Sequence, residues 1–462
     1  MNYHRYFGPP GTPVETCLVG SGSFGRSFLA QGRKVPRMRA RVAVDVDAET
    51  AAVALRAAGF DPREIAVCQT AREAKAAWDA GRAVAASDLA AVIELPVDVV
   101  VEATGHPEAG ALHARMAVEA GRHLVLVSKE VDSVVGPGLA RQARARGRIV
   151  TPVDGDQPSL LIGLVTWAET LGLAIVAAGK SSEYDFVFDA ATETMSANNV
   201  TVPVPGFAAQ WTMGERPVAD IVTTRARIAA ALPQRTVPDL CEMLVVANAT
   251  GLTYDRADFH VPLARIEEVA TIFATKADGG LLSGDRRLDV FNCLRAPDEI
   301  SFAGGIFVVV RCEHAETWAM LREKGHILAR NGATAMLWLP RHLLGLEAAT
   351  SVLEAAVLGR SSGGDDPRPN LDLAARANAD IPAGTILTAA GHHHSIKDVS
   401  GVLVPGAALA PKVPAPYYLA ANRRLVRPVA KGATILCSDV ELDEGSALLA
   451  LRRQQDALFF KV

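Results

Sequence analysis

Short apolar runs alternate with alanine-rich amphipathic stretches through the first third of the chain. Thr16-Cys17-Leu18-Val19 leads into Gly20-Ser21-Gly22-Ser23-Phe24-Gly25, and residues 26–33 then have helical spacing. Arg41-Val42-Ala43-Val44 reads as a second strand, followed by helices over 48–58 and 70–80. Val97-Asp98-Val99-Val100-Val101-Glu102 is a β-branched run of the kind buried on both faces of a parallel sheet. It ends in the loop Ala103-Thr104-Gly105-His106-Pro107, before a helix over 108–120. His123-Leu124-Val125-Leu126-Val127 is the next strand, with Ser128-Lys129-Glu130 at its tip, and Arg148-Ile149-Val150-Thr151-Pro152 closes the set. Strand and helix in alternation predict a doubly wound, Rossmann-type parallel sheet over residues 1–152.

The pattern changes at Asp154-Gly155-Asp156-Gln157-Pro158, a polar turn before an apolar helix over 159–171. A strand over 173–178 then delivers Gly179-Lys180-Ser181-Ser182-Glu183-Tyr184-Asp185. Mixed strands and helices continue to 339, which predicts a second α/β domain over 153–339 that carries substrate. Residues 340–360 contain a helix expected to pack back on the first domain. Residues 361–369, rich in Ser, Gly, Asp and Pro, read as a linker. The remainder, 366–462, alternates short strands with Gly and Pro turns and predicts a small β-rich module.

With 462 residues the chain exceeds one ordinary core, in keeping with several domains. Hydrophobic residues at 49% and charged ones at 21% describe a soluble globular protein. A net charge of -4 argues against nucleic acid or an anionic membrane as partner. No apolar run reaches membrane-spanning length, and Met1-Asn2-Tyr3-His4-Arg5-Tyr6 lacks a signal-peptide core, so a cytoplasmic location is expected. The six cysteines contain no CxxC pair and read as reduced, mostly buried thiols.

The glycine motif is where chemistry first becomes legible. In Gly20-x-Gly22-x-x-Gly25 one glycine makes a tight turn, one lets backbone approach phosphate, and one lets helix pack on strand. Asp45, at the end of the second strand and twenty residues beyond Gly25, stands where an acid takes the ribose hydroxyls of a dinucleotide. The expected cofactor contacts are Gly20, Ser21, Gly22, Ser23, Phe24, Gly25 and Asp45, with Ala103, Thr104 and Gly105 at the neighbouring strand's carboxyl end.

Lys129 reads either as an exposed lysine or as a cation that binds an anionic substrate beside the nicotinamide. Lys180 reads either as a surface ion-pair partner or as a partly desolvated general acid at a carbonyl or alkoxide oxygen. Asp154, Asp156, Glu183 and Asp185 are the acids nearest these lysines. Asp156 and Glu183 join the catalytic candidates as bases, and Asp154, Asp156 and Glu183 are the candidate ligands of Mg²⁺ or Mn²⁺. Turns and helix caps also account for Asp154 and Asp156. His392-His393-His394 reads as a solvated loop, because three adjacent side chains on a strand cannot face one ion. His260 and His326 read as substrate contacts or as structural histidines.

Taken together, Gly20 to Gly25, Val99-Val100-Val101-Glu102-Ala103-Thr104-Gly105, the Asp154 turn, Ala178-Gly179-Lys180 and Pro340 to Glu347 resemble one family. It is the homoserine-dehydrogenase-like oxidoreductases with a C-terminal SAF domain, and within it the 1-deoxy-D-xylulose 5-phosphate reductoisomerase-like enzymes. The resemblance implies NADP(H)-dependent isomerisation and reduction of that sugar phosphate to 2-C-methyl-D-erythritol 4-phosphate, an isoprenoid precursor. It also implies a divalent metal, a homodimer or larger homo-oligomer, and a SAF-like fold for 366–462. Val127-Ser128-Lys129 stands where homoserine dehydrogenases carry a substrate lysine. Their own signature is not intact here, Ala249-Thr250-Gly251-Leu252-Thr253 being the nearest stretch, which leaves dehydrogenation or oxidoisomerisation of another polyol or sugar acid as the alternative. Asp45 favours NAD(H), since its charge repels a 2′-phosphate. A non-catalytic nicotinamide sensor is the reading from another class; it needs neither Lys129 nor Lys180.

Overall fold

The computed structural model describes residues 2–9, 11–391 and 393–460. Seven strands form the first sheet: β1 (Val14–Val19), β2 (Met38–Val44), β3 (Ile65–Cys68), β4 (Ala83–Ala86), β5 (Val99–Glu102), β6 (His123–Leu126) and β7 (Val150–Pro152). Their order is β3-β4-β2-β1-β5-β6-β7, and each neighbouring pair is parallel. The chain winds outward from β1 in one direction and returns to β5 on its other side. That reversal makes the carboxyl ends of β1 and β5 the ligand edge of the sheet. All four residues of β5 are buried, as the β-branched run requires.

Local sequence sets the crossover helices. Asp47 caps Ala48–Ala57 by accepting from the Glu49 and Thr50 amides. Thr70 and Glu73 close a reciprocal capping box on Ala71–Asp79. Pro107 begins the helix Pro107–Glu119 after the cap His106. The apolar faces meet in a core that includes Leu18, Phe28, Leu55 and Val101.

This compact unit comprises Met1–Ser159, Leu343–Ser400 and Val404–Val462. Ala348, Val352 and Leu353 enter its core beside Phe28. Residues 366–400 and 404–462 thus belong to the same compact unit as the seven-stranded sheet. They carry the strand Leu371–Ala377 and a hairpin of Ala389–Ala390 and Ser395–Ile396. They also end in a thirteen-residue helix, Ala447–Phe459, which the reading of this region as a run of strands and turns missed. Ser446 caps that helix through the Leu449 amide. It lies on Pro107–Glu119 and Lys129–Arg144, and Gln455 accepts from the Gly138 amide at 2.8 Å.

The second unit, Leu160–His342 with Gly401–Leu403, is built on a mixed sheet. Its strands are β8 (Ile175–Ser181), β9 (Phe186–Asp189), β10 (Thr194–Ala197), β11 (Val200–Pro203), β12 (Thr253–Tyr254), β13 (Leu263–Ala264), β14 (Arg287–Arg295), β15 (Ile306–Arg311), β16 (Ile327–Leu328) and β17 (Thr334–Leu339). The main order is β11-β10-β9-β14-β8-β15-β17-β16, with β12 and β13 also paired to β14. β8 lies between β14 and β15, and all seven of its residues are buried. Phe273, Phe291 and Phe307 lead the core on one face. Among the described residues no helix is long and apolar enough to cross a membrane.

Candidate active site

The glycine loop has the geometry its spacing implies. Gly20 turns at φ +93°, and a Cβ there would stand 2.6 Å from the Ala103 carbonyl oxygen. A Cβ on Gly25 would stand 2.2 Å from the Gly20 carbonyl oxygen. Both glycines therefore serve close packing. Gly22 differs, because a Cβ there would meet nothing within 4 Å. Its bare backbone opens onto free space at the start of the helix Ser23–Gly32, where no side chain caps the first turn. Unused amides and the positive helix end suit an anion, so these residues fit a dinucleotide pyrophosphate.

Asp45 is fixed beside that loop. One carboxylate oxygen accepts from the Ser21 amide at 2.8 Å and from the Ser21 hydroxyl; the other accepts from the Val46 amide at 2.8 Å. Arg41 is committed elsewhere: it ion-pairs with Glu15 and stacks 3.8 Å from the Trp78 ring centre. Across the switch point, buried Glu102 holds the next loop, accepting from the Thr104 hydroxyl at 2.6 Å and the Thr104 amide at 3.2 Å. The Gly105 amide donates to the Ser128 hydroxyl at 2.8 Å. Of the histidine tract, His392 lies outside the described residues. His394 corrects the reading of a solvated loop, since its imidazole donates to the Gly105 carbonyl at 2.7 Å.

Lys129 opens the helix Lys129–Arg144 rather than ending a strand. Its ammonium stands 3.9 Å from Asp156, whose other oxygen accepts from the Gln157 amide at 2.9 Å. Asp154 is a turn anchor. It accepts from the hydroxyls of Thr350, at 2.7 Å, and Ser159, while its amide donates to Ser351 at 2.7 Å. Glu183 is exposed, on the connection between β8 and β9. Burial, and then the Glu183 carboxylate beside it, raises the Tyr184 hydroxyl above its ordinary pKa. Of the expected divalent-ion ligands, Asp154 and Asp156 lie in the first unit and Glu183 in the second. Among the described residues no three His, Cys, Asp or Glu are grouped to hold an ion, and Asp154 spends its oxygens on hydroxyl donors.

Lys180 departs furthest from expectation. It lies inside β8 rather than in a loop after it, and is 1% exposed. Gly179 before it admits the neighbouring strand: a Cβ there would stand 2.0 Å from the Asp289 carbonyl oxygen. The Lys180 ammonium meets Asp239 at 2.9 Å and also Glu242, both near the start of the helix Val237–Thr250. Asp239 accepts in addition from Ser182 at 2.8 Å and Thr236 at 2.9 Å. Two buried carboxylates thus share one ammonium. Sequence reasoning missed both acids; the only signal was their i, i+3 spacing on an otherwise apolar helix.

His260 is clamped in the same unit. Its Nδ1 lies 2.6 Å from buried Asp289 and its Nε2 3.5 Å from Asp255. Phe259 and Val261 flank it at φ +57° and +50°, a costly backbone for a β-branched residue. His326 is exposed. Burial pushes the Cys17 thiol up to about 12 and the Cys312 thiol up to about 11, away from the thiolate form.

Residues 34–151 match the NAD-binding domain of homoserine dehydrogenase, and residues 155–348 match the catalytic domain of the oxidoreductase DRL. No curated protein matches the chain. Solved structures that resemble it include a DOX-P reductoisomerase in complex with magnesium, at 21% identity over 37% of this chain and 46% of that one, TM-score 0.28. Biliverdin reductase from Synechocystis sp. PCC 6803, with biliverdin and NADP+, matches at 20% identity over 38% of this chain and 48% of that one, TM-score 0.24. GenD2 from gentamicin A biosynthesis, with NAD, matches at 14% identity over 76% of this chain and 89% of that one, TM-score 0.36. The chain spans about half the length of the first two, and at such scores none of the three bears on activity. The two domain matches make this chain an oxidoreductase with an NAD-binding fold.

Proposed function

We propose that the chain reduces and rearranges a phosphorylated keto sugar with a nicotinamide cofactor, converting 1-deoxy-D-xylulose 5-phosphate to 2-C-methyl-D-erythritol 4-phosphate as a homo-oligomer. The match of residues 155–348 to the DRL catalytic domain carries this reading. The open backbone at Gly22 and the uncapped helix Ser23–Gly32 take the pyrophosphate. Asp45 takes the ribose hydroxyls, and Ser21 holds it in place. The nicotinamide, when bound, supplies hydride to the aldehyde formed by rearrangement.

Lys129 contributes a positive charge for an anionic substrate group, with Asp156 steadying its ammonium. Lys180, Asp239 and Glu242 hold the proton that the reduced oxygen needs. The Lys180 ammonium, shared by the two buried carboxylates, is the proton donor in this reading. Among the described residues no three His, Cys, Asp or Glu are grouped for a metal, and no step is assigned to one.

A second reading draws on the fixed carboxylate of Asp45 together with the engagement of Arg41 by Trp78. This arrangement suits NAD(H), and with it the oxidation or oxidoisomerisation of another polyol or sugar acid. One screen separates the two. The purified protein is offered phosphorylated ketoses, polyols and sugar acids with NAD(H) and with NADP(H), and nicotinamide absorbance is followed. Turnover of the sugar phosphate with reduced cofactor supports the first reading. Turnover only of polyols or sugar acids with NAD⁺ replaces it, and no nicotinamide turnover with any substrate sinks both.

A further inference from the structure

Four contacts from the C-terminal segment converge on the short stretch Gly105–Glu108. His394 donates from Nε2 to the Gly105 carbonyl at 2.7 Å. The same imidazole meets His106 edge to face, with ring centres 5.6 Å apart. Two residues on, the Glu108 carboxylate accepts from the Ser446 hydroxyl at 2.6 Å and from the Ala447 amide, at the first turn of Ala447–Phe459. None of these partners lies within 280 positions of the loop in sequence, since His394 is 289 residues from Gly105.

The position of this loop gives the contacts their meaning. It follows β5 at the switch point, where a dinucleotide crosses from the glycine loop to its neighbour. Gly105 has φ +66°, so its backbone is intrinsically free to leave that conformation. Two hydrogen bonds hold it. Its amide donates to Ser128, which precedes Lys129, and its carbonyl accepts from His394. Removing either frees one side of a glycine hinge.

The hairpin that presents His394 does not depend on the imidazole. The Ile396 amide donates to the buried Tyr417 hydroxyl at 2.9 Å, and the Ala389 amide to Asn422 at 2.9 Å. Glu108 and Gln455 hold the C-terminal helix on the nucleotide sheet independently. We propose that His394 is a positioning residue for the cofactor, holding the Thr104–Gly105 loop in the shape that receives the nicotinamide half. This rests on the dinucleotide reading of the crevice. It gives the C-terminal segment a part in cofactor binding, with no group in contact with the reacting atoms.

The test titrates NADH and NADPH calorimetrically into wild type, His394→Ala and His394→Gln, with melting temperatures and amide exchange measured alongside. His394→Ala should weaken the preferred cofactor about five- to tenfold, the worth of one hydrogen bond. Its melting temperature should stay within about 2 °C of wild type. Exchange across residues 103–113 should quicken even without cofactor. His394→Gln, whose amide can donate to the same carbonyl, should recover most of the affinity. Wild-type affinity in His394→Ala would overturn the proposal while leaving the dinucleotide reading intact, as would a loss that merely follows a falling melting temperature. Failure of wild type to bind either cofactor would overturn both.

Discussion

The glycine crevice and the Lys180 cluster are made of opposite materials. The crevice is mostly backbone: open space at Gly22, free amides at a helix start, and one carboxylate held by Ser21. Its key parts lie within a few dozen residues of each other. The cluster is all side chain, with Lys180 from β8 and Asp239 and Glu242 from a helix about sixty positions on. The first leaves room, and the second excludes water. Damage should therefore look different in each. A side chain added to the crevice blocks a ligand and spares the fold, whereas a charge removed from the cluster leaves buried partners uncompensated.

Lys180→Met should have the largest effect and is the hardest test of that contrast. Deleting the ammonium leaves Asp239 and Glu242, each under 5% exposed, without their counter-charge. Breaking a buried pair in this way typically costs about 3–5 kcal/mol. Turnover should fall by about two to four powers of ten if the cluster also holds the catalytic proton. Chemical denaturation reads the first effect and steady-state kinetics the second. The triple variant Lys180→Met with Asp239→Asn and Glu242→Gln should regain much of the stability, because no buried charge is left unmatched, yet remain slow. A triple variant that regains turnover as well would reduce Lys180 to a structural ion.

The same contrast explains what the sequence could and could not reveal. The Gly20–Gly25 loop, the β-branched β5 and the position of Asp45 follow from local pattern, because each is fixed by neighbours along the chain. Lys180 showed as a lysine beside an apolar strand, and its burial follows only from the flanking of β8 by β14 and β15. Asp239 and Glu242 carry no local signal of burial, which comes from tertiary packing. The terminal helix Ala447–Phe459 was lost among Gly and Pro turns that end at Gly445, and His394 gave no hint that its hairpin reaches Gly105. Long-range partners leave no periodic trace.

On the crevice side, Gly22→Val is the corresponding test. Its Cβ meets nothing in the protein, so the melting temperature should hold within about 2 °C. Its branched side chain would fill the space the pyrophosphate needs, and calorimetric binding of either cofactor should disappear. Gly20→Val makes the useful control, since its Cβ would strike the Ala103 carbonyl and should cost folding as well. Normal cofactor affinity in Gly22→Val would move the binding site elsewhere and end the comparison.

Asp45→Ala should give the smallest effect and is the most informative about cofactor choice. The carboxylate steadies the Ser21 end of the glycine loop, and in the proposed reading it also takes the ribose hydroxyls. For NADH, removal deletes a charge-assisted hydrogen bond, worth about 1.5–3 kcal/mol, or roughly ten- to a hundredfold in affinity. For NADPH the same removal also lifts the repulsion between a carboxylate and a 2′-phosphate, so the two effects oppose each other. Arg41 does not take over the phosphate, because it remains paired with Glu15 over Trp78. NADPH affinity should therefore change by only about threefold while NADH affinity falls, and the preference should narrow or invert without a gain in absolute NADPH binding. Equal losses for both cofactors would mean that Asp45 acts only on the loop, through Ser21, and that the ribose is read by another residue.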